Sequence, residues 1–403
     1  MNLNWFISQT VRHAGQMRKH VAKILNAQRD LLSPQAIDAV EEAMRRLREK
    51  CYATSDKKAL QEEMGNLEKV ANKWLKPYPN AGLRENVEVL LVAIAVAMGI
   101  RTFFIQPFKI PTGSMQPTLF GITHENLIDR PGAEIPNPLT RFFSFWFNGV
   151  GYTHVVAQAD GRLEAADENP QRFLLFNLKQ RFQVGGEWYT VWFPPENLFR
   201  RAELRNPYGQ FNPRLFKKGE DIIKLKVVSG DHLFVDRMTY NFRRPTRGEI
   251  IVFETKGISG LPPDQFYIKR LVALGSERVR IGDDRHLVLD GKRLDNGTPH
   301  FERVYSFDPA QAPQESHYSG HLNEITAHQN GMSGLAPQFP NEDHEFAIAP
   351  NHYMVMGDNT VNSSDSRTWG DFPRENVIGK SFFVYWPIGT QNGRVSRFGW
   401  GNR

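Results

Sequence analysis

Cysteine is almost missing from this sequence. Cys51 is the only one in 403 residues, so no disulfide can form within the chain and four-cysteine zinc sites are excluded. The fold must stand on its apolar core. Nor is there a general excess of one charge. Lys and Arg number 50 against 44 Asp and Glu; fifteen against ten of these fall up to Asn86, leaving 35 against 34 beyond it. Apolar runs are scarce as well. The first 32 residues offer only Trp5, Phe6 and Ile7, far too short for the apolar core of a secretory signal. No histidine has the surroundings of a catalytic base, and the most conspicuous serine, Ser114, lacks a Gly-x-Ser-x-Gly elbow.

What is present begins with helical periodicity. Within residues 1–32, Ala14, Met17, Val21, Ile24 and Gln28 fall near helical spacing among five basic residues. That segment either lies on an anionic membrane surface or packs on the helices that follow. Ser33-Pro34 is a helix start, with a capping hydroxyl before Pro at the first helical position, and Ile37, Val40, Met44 and Leu47 continue it. A second helix opens at Ser55 or Asp56. Its positions Leu60, Met64, Leu67, Ala71 and Trp74 form a short heptad seam, closed by Pro77 and Pro79. The expectation for residues 1–86 is a cytoplasmic helical hairpin.

Residues 87–105 contain the one long apolar run, free of charge from Val89 to Ile100. As a helix it extends about 28 Å at ~1.5 Å per residue, close to the ~30 Å of bilayer hydrocarbon. Apolar on every side, it reads as a transmembrane span rather than a core helix. Lys69, Lys73, Lys76 and Arg84 precede it and only Lys109 follows closely, so the positive-inside rule puts the N-terminus in the cytoplasm and residues 106–403 outside.

Beyond the span the pattern turns to short β runs: Ile222–Val228, Leu233–Asp236, Glu249–Glu254, Phe266–Leu274, Arg278–Ile281, Tyr353–Met356 and Val377–Trp386. His286–Leu294 is a hairpin around Asp290-Gly291. The predicted class is mainly β: an antiparallel, barrel-like catalytic domain with a β-containing insertion, preceded by one transmembrane helix and the α-helical hairpin. Residues 121–220 and 292–351 read as insertions. The first holds Phe142, Phe143, Phe145, Trp146 and Phe147, either a belt at the headgroup level or the core of an inserted subdomain. The second reads as a surface excursion whose histidines (His300, His317, His321, His328, His344) are solvated and lack metal-ligand spacing.

Three segments carry chemistry. Ser114, in Pro111-Thr-Gly-Ser-Met-Gln-Pro-Thr-Leu119, sits in irregular backbone a few residues past the span, where a hydroxyl can be held rigidly. Lys269, in Phe266–Leu274, falls by strand alternation with Tyr267, Leu271 and Ala273. A lysine on that apolar face is costly unless neutral or paired, and a neutral lysine can serve a serine as base. Gly357-Asp-Asn-Thr-Val-Asn-Ser-Ser-Asp-Ser-Arg-Thr-Trp-Gly370 is a polar loop able to orient that amine.

In this order, and with Gly230–Tyr240 between them, these segments resemble the bacterial type I signal peptidases, membrane-anchored Ser/Lys proteases. The resemblance implies a serine endopeptidase that removes signal peptides after small residues of Ala-x-Ala type. Ser114 would be nucleophile and Lys269 general base. Thr112 would complete the oxyanion hole with the Ser114 N–H, Ser363 would orient the lysine, and Asp365 and Arg367 would form a bracing ion pair. Phe108, Ile110, Met115 and Ile268 would line pockets for small side chains. Expected partners are signal-peptide-bearing preproteins and membrane lipid, with no nucleic acid, metal or cofactor, at a bacterial inner membrane with the catalytic domain outside. The sequence departs from the family pattern in the hundred residues before Gly230-Asp231, in Ala273–Glu277 after Lys269-Arg270, and in Thr360, where Arg is common.

Overall fold

A computed structural model of the chain describes residues 8–53, 56–76, 80–130, 132–174, 176–306, 319–391 and 396–400. Trp5, Phe6, Ile7, Ser55, Pro77, Pro79 and His317 lie outside them. The chain divides into two compact units, Met1–Ala95 and Val96–Arg403.

The first unit is helical, and it holds three packed helices rather than a hairpin of two. Helix α1 (Gln9–Gln28) is capped by Ser8, α2 (Pro34–Ala53) follows the Ser33 cap, and α3 (Lys57–Trp74) is capped by Asp56. Ala14, Val21 and Leu25 of α1 bury against Val40, Leu47 and Leu67. Residues 9–28 therefore pack on the next helices instead of presenting an apolar face outward. Gln28 adds a polar tie, its side-chain amide exchanging two hydrogen bonds with the Lys76 backbone, at 2.6 and 3.2 Å. Helix α4 (Ala81–Phe103) begins six residues before the apolar run. Its stretch Gly82–Phe103 is long and apolar enough to cross a membrane, and the hydrophobic window within it is nowhere buried.

The second unit is built on antiparallel strands. Its largest sheet comprises β1 (Ile105–Lys109), β2 (His232–Asp236), β3 (Ile250–Glu254), β4 (Phe266–Leu274), β5 (His352–Met356), β6 (Phe372–Pro373) and β7 (Val377–Trp386). Their spatial order is β1-β2-β7-β3-β4-β5-β6, so β1 and β6 are edges and the sheet is open. Bulges at the β2–β7, β3–β7 and β4–β5 pairings bend it. One bulge corrects the alternation expected along β4. Leu271 pairs with Val355 and Ala273 with Met354, so Val272 is the extra residue. Ala273 then shares a core cluster with Val272 instead of following Lys269 and Leu271. The Asp290-Gly291 hairpin is formed, both residues at positive φ as a tight turn of this type requires.

Residues 121–220 enclose a core of their own, including Phe182, Val184, Tyr189, Phe199 and Phe216, which is completed by Ile222, Ile223 and Leu225 of the strand Asp221–Val228. The aromatic cluster takes no part in that core: it lies on helix α5 (Pro138–Asn148), which has no buried residue. The stretch 292–351 is not a surface excursion. Leu294, Phe301, Val304, Ala336 and Phe339 pack with Val272, Ile281 and Met356 into a single cluster. His321 is fully buried there, not solvated as expected. Burial, with Arg367 nearby, lowers its pKa to about 4, so the ring is neutral at neutral pH. A segment rich in Pro, Gln, Asn and His hides its few apolar residues from a periodicity search, because they are irregularly spaced.

Candidate active site

The loop bearing Ser114 leaves the edge strand β1 through Ile110, whose N–H bonds to the Asp231 carbonyl at 2.8 Å. Ser114 is buried, and its peptide is held from outside the loop. Asn359 donates its backbone N–H to the Ser114 carbonyl (3.0 Å) and its Nδ2 to the Gly113 carbonyl (3.1 Å). Both hydrogen bonds point the same way: the carbonyls are engaged while the Ser114 N–H has no acceptor among the described residues. Thr112 is exposed beside it.

Strand β4 brings Lys269 to this serine. In register with Ile251 of β3, the lysine extends its Nζ to 2.9 Å from Ser114 Oγ and 3.1 Å from the Ile268 carbonyl oxygen. The Tyr267 ring centroid is 5.4 Å away. The lysine is only 5% exposed. Burial is the main cause that lowers its pKa to about 8; Asp365 opposes the shift, Arg367 adds to it and Asp358 again opposes it. An amine poised there loses its proton far more easily than an ordinary lysine, and its nearest oxygen is a serine hydroxyl.

The polar loop after β5 braces the pair. Arg367 and Asp365 are both fully buried and joined by two hydrogen bonds of 2.8 Å. The guanidinium also donates to the Thr360 hydroxyl (2.6 Å) and carbonyl (2.7 Å), and Asp365 accepts the Gly357 N–H at 2.9 Å. Burial alone would raise the Asp365 pKa, but the Arg367 charge and these hydrogen bonds hold it below the ordinary carboxylate value. Ser363 is buried beside this carboxylate. No direct hydrogen bond links it to Lys269, and its Oγ has no well-directed partner. It stands close by all the same: a Cβ on Gly357 would lie 2.2 Å from Ser363 Oγ and 2.4 Å from the Ser114 carbonyl oxygen. Gly357 is thus the spacer that lets the two serines approach.

Ile110 and Met115 are buried in one apolar cluster, with Phe108 and Ile268 packed against it. All ten residues singled out from the sequence therefore fall on β1 and the loop that follows it, on β4 or on the polar loop, which meet around Ser114.

Sequence reasoning missed a second buried ion pair. Arg270 donates from Nε to Asp358 at 2.7 Å and from Nη1 to the Gly248 carbonyl at 2.7 Å, while Thr118 bonds to the same carboxylate. Side-chain exposures are 1% and 0%. The Ser114 loop accordingly meets Lys269 at one end and, through Thr118, Arg270 at the other. The signal was available: an arginine amid Ile268 and Val272 needs an anion as much as Lys269 needs to be neutral. Asp231, bonded to the Phe120 N–H (2.7 Å) and to Arg397 (2.7 and 2.8 Å), was also missed. Arg397 lies far along the chain in no recognisable pattern.

Against known proteins, the family model described as signal peptidase, peptidase S26, matches residues 83–127 and 223–386, together just over half of the chain. Signal peptidase I of Aquifex aeolicus (strain VF5) is 32% identical over 186 residues, covering 40% of this chain and 70% of that protein. Probable signal peptidase I-2 of Synechocystis sp. is 27% identical over 159 residues, covering 39% of this chain and 56% of that protein. A crystal structure of a signal peptidase I from Enterococcus faecalis V583 covers 34% of this chain and 97% of its own, at 22% identity and a TM-score of 0.23, too low a similarity to bear on the fold.

Proposed function

The chain belongs to the signal peptidase, peptidase S26, family, and on that premise we propose that it is a membrane-tethered serine endopeptidase that removes signal peptides from exported preproteins, with Ser114 as nucleophile and Lys269 as general base. The observation that carries the reading is the 2.9 Å contact between Lys269 Nζ and Ser114 Oγ at a buried lysine.

The neutral amine takes the hydroxyl proton as Ser114 Oγ attacks the scissile carbonyl carbon. Negative charge develops on the carbonyl oxygen, toward which the Ser114 N–H and the Thr112 hydroxyl would point; removing one donor of this kind typically costs roughly 10²- to 10³-fold in rate. Collapse of the tetrahedral intermediate expels the new N-terminal amine, which leaves with the proton held by Lys269. Water, deprotonated by the again neutral lysine, then hydrolyses the acyl-enzyme. The Asp365–Arg367 pair would brace the loop beside the amine, and Ser363, close by without bonding to it here, would take up that hydrogen bond when substrate engages Ser114. The preprotein would bind extended along the free edge of β1, its small side chains entering pockets lined by Phe108, Ile110, Met115 and Ile268, which suits Ala-x-Ala sites. In this reading residues 87–105 span a bacterial inner membrane, residues 1–86 are cytoplasmic and residues 106–403 face outward. Cleavage then falls close to the bilayer surface, where a signal peptide's apolar segment ends.

The test is processing of an exported preprotein by the full chain in membranes. Ser114→Ala and Lys269→Ala should each abolish cleavage while the protein stays folded and membrane-bound. Complete processing by either variant would overturn the assignment.

A further inference from the structure

Helix α5 is built inside out. An amphipathic helix on a water-soluble protein turns its apolar stripe inward, yet here the side chains facing the protein are mostly polar, Phe145 against Trp386 being the one aromatic among them. Arg141 donates to the Tyr152 carbonyl at 2.8 Å, and Ser144 and Asn148 are half-buried. At 100° per residue, Leu139, Phe142, Phe143, Trp146 and Phe147 share the opposite face, and each is 50–68% exposed. The aromatic residues pack on one another, Phe142 against Phe143 and Trp146, and Phe143 against Phe147, with centroid separations of 5.6–6.3 Å. They make no core.

With five large apolar side chains roughly half exposed, the face amounts to on the order of 500 Å². A patch of that size marks an interaction surface. The helix is held rigidly rather than hung from a loop. Asn137 caps its start, the Trp386 Nε1–H bonds to the Trp146 carbonyl (2.7 Å), and the Ile388 and Gly389 N–H groups bond to the Phe147 carbonyl (3.0 and 2.8 Å).

We propose that the outward face of α5 is a second membrane contact, lying in the headgroup–acyl boundary of a lipid bilayer. This rests on the reading of α4 as a span. Three observations choose lipid over protein. The face is Phe, Trp and Leu without a charge, the composition of interfacial helices and aromatic belts. It is also smaller than the ~800 Å² per partner of a standard protein interface. Finally, it is near the end of α4 within the same compact unit. Lys109, at the far end of β1, pairs with His232, and His232 with Trp386, on which α5 rests. Only the five residues of β1 and two strand spacings of the sheet separate Phe103 from this helix, a distance on the order of 20 Å at ~3.3 Å per residue and ~4.8 Å per strand. Two contacts on one rigid unit fix its orientation to the bilayer, where one span leaves it free to swing.

The experiment uses the full chain in a Cys51→Ser background, reconstituted in vesicles of phosphatidylcholine and phosphatidylglycerol. A nitroxide is placed by Phe143→Cys, with Phe147→Cys as a second site should the first fail to fold. Met98→Cys in α4 reports the span, and Thr190→Cys, on an exposed strand, reports water. Accessibility to oxygen and to a water-soluble nickel chelate is read from power saturation. The expected result is that the α5 labels, like Met98→Cys, favour oxygen and exclude the chelate. Chelate access at α5 with a lipid-exposed Met98→Cys overturns this contact and leaves the tether standing. Chelate access at both overturns the tether and the contact with it. Exclusion of both reagents at α5 means that protein covers the helix, and it too overturns the proposal.

Discussion

At the residue scale, the proposed dyad depends on what is absent as much as on what is there. Gly357 has no side chain, and the space a methyl group would need is occupied by Ser363 Oγ and the Ser114 carbonyl oxygen. The expectation is that Gly357→Ala displaces Ser114 relative to Lys269 without unfolding the protein. Since misplacement of reacting groups by about 1 Å costs roughly 10²-fold, kcat/KM for a signal-peptide substrate should fall by about that factor, with a loss of stability of about 1–3 kcal/mol from the overpacking that leaves the protein folded. Activity within a few-fold of the parent would show that the spacing is not critical. Ser114 and Lys269 were legible in the sequence because each breaks a local rule: a serine between prolines, and a lysine on an apolar strand. Asn359 was not, because what it does is hydrogen-bond backbone carbonyls, and any loop asparagine has the groups for that.

At the element scale, β4 supplies adjacent residues to two different networks, Lys269 to Ser114 and Arg270 to Asp358 and Thr118. The strand ties the Ser114 loop to the polar loop through a fully buried ion pair. Removing one partner of such a pair costs about 3–5 kcal/mol, whereas replacing both with apolar groups costs far less. Asp358→Asn alone should therefore lower the midpoint of denaturant unfolding markedly, and Arg270→Met with Asp358→Leu should recover much of the loss. A double variant no more stable than the single one would contradict this. Five of the seven strands of the sheet were readable from their apolar runs, each within one residue of its observed ends; β1 was missed because it follows directly on the apolar run and its Gln106 and Pro107 break any alternation. The bulge at Val272 was not, because alternation carries no mark of an inserted residue until a partner strand is in place. The short edge strand β6 was missed for a similar reason: two residues hold no period.

At the scale of the whole molecule, the sequence separated a helical, positively charged N-terminal part from a β-rich remainder, whereas the two compact units of the structure meet inside the apolar helix, between Ala95 and Val96. It misjudged the long stretches between the motifs. Residues 292–351 lack periodicity but pack into the core shared by β4 and β5, and of the two readings open for the aromatic cluster of residues 142–147, belt or subdomain core, the structure excludes the core. Composition alone cannot distinguish a buried aromatic from one awaiting another apolar medium. The chemistry is less ambiguous, because one unusual group governs it. If Lys269 is the base, only its neutral form is competent. With its pKa lowered to about 8 by burial, the competent fraction rises tenfold per pH unit below that value and levels off above it.

The most direct test is the pH dependence of kcat/KM for a signal-peptide substrate, followed by assignment of any limb near pH 8. The account predicts a rate that climbs with pH through about 8, together with a lysine of that same pKa titrating at Lys269 in the inactive Ser114→Ala protein. A profile flat between pH 6 and 9, or a Lys269 that titrates near the ordinary lysine value above 10, would contradict it.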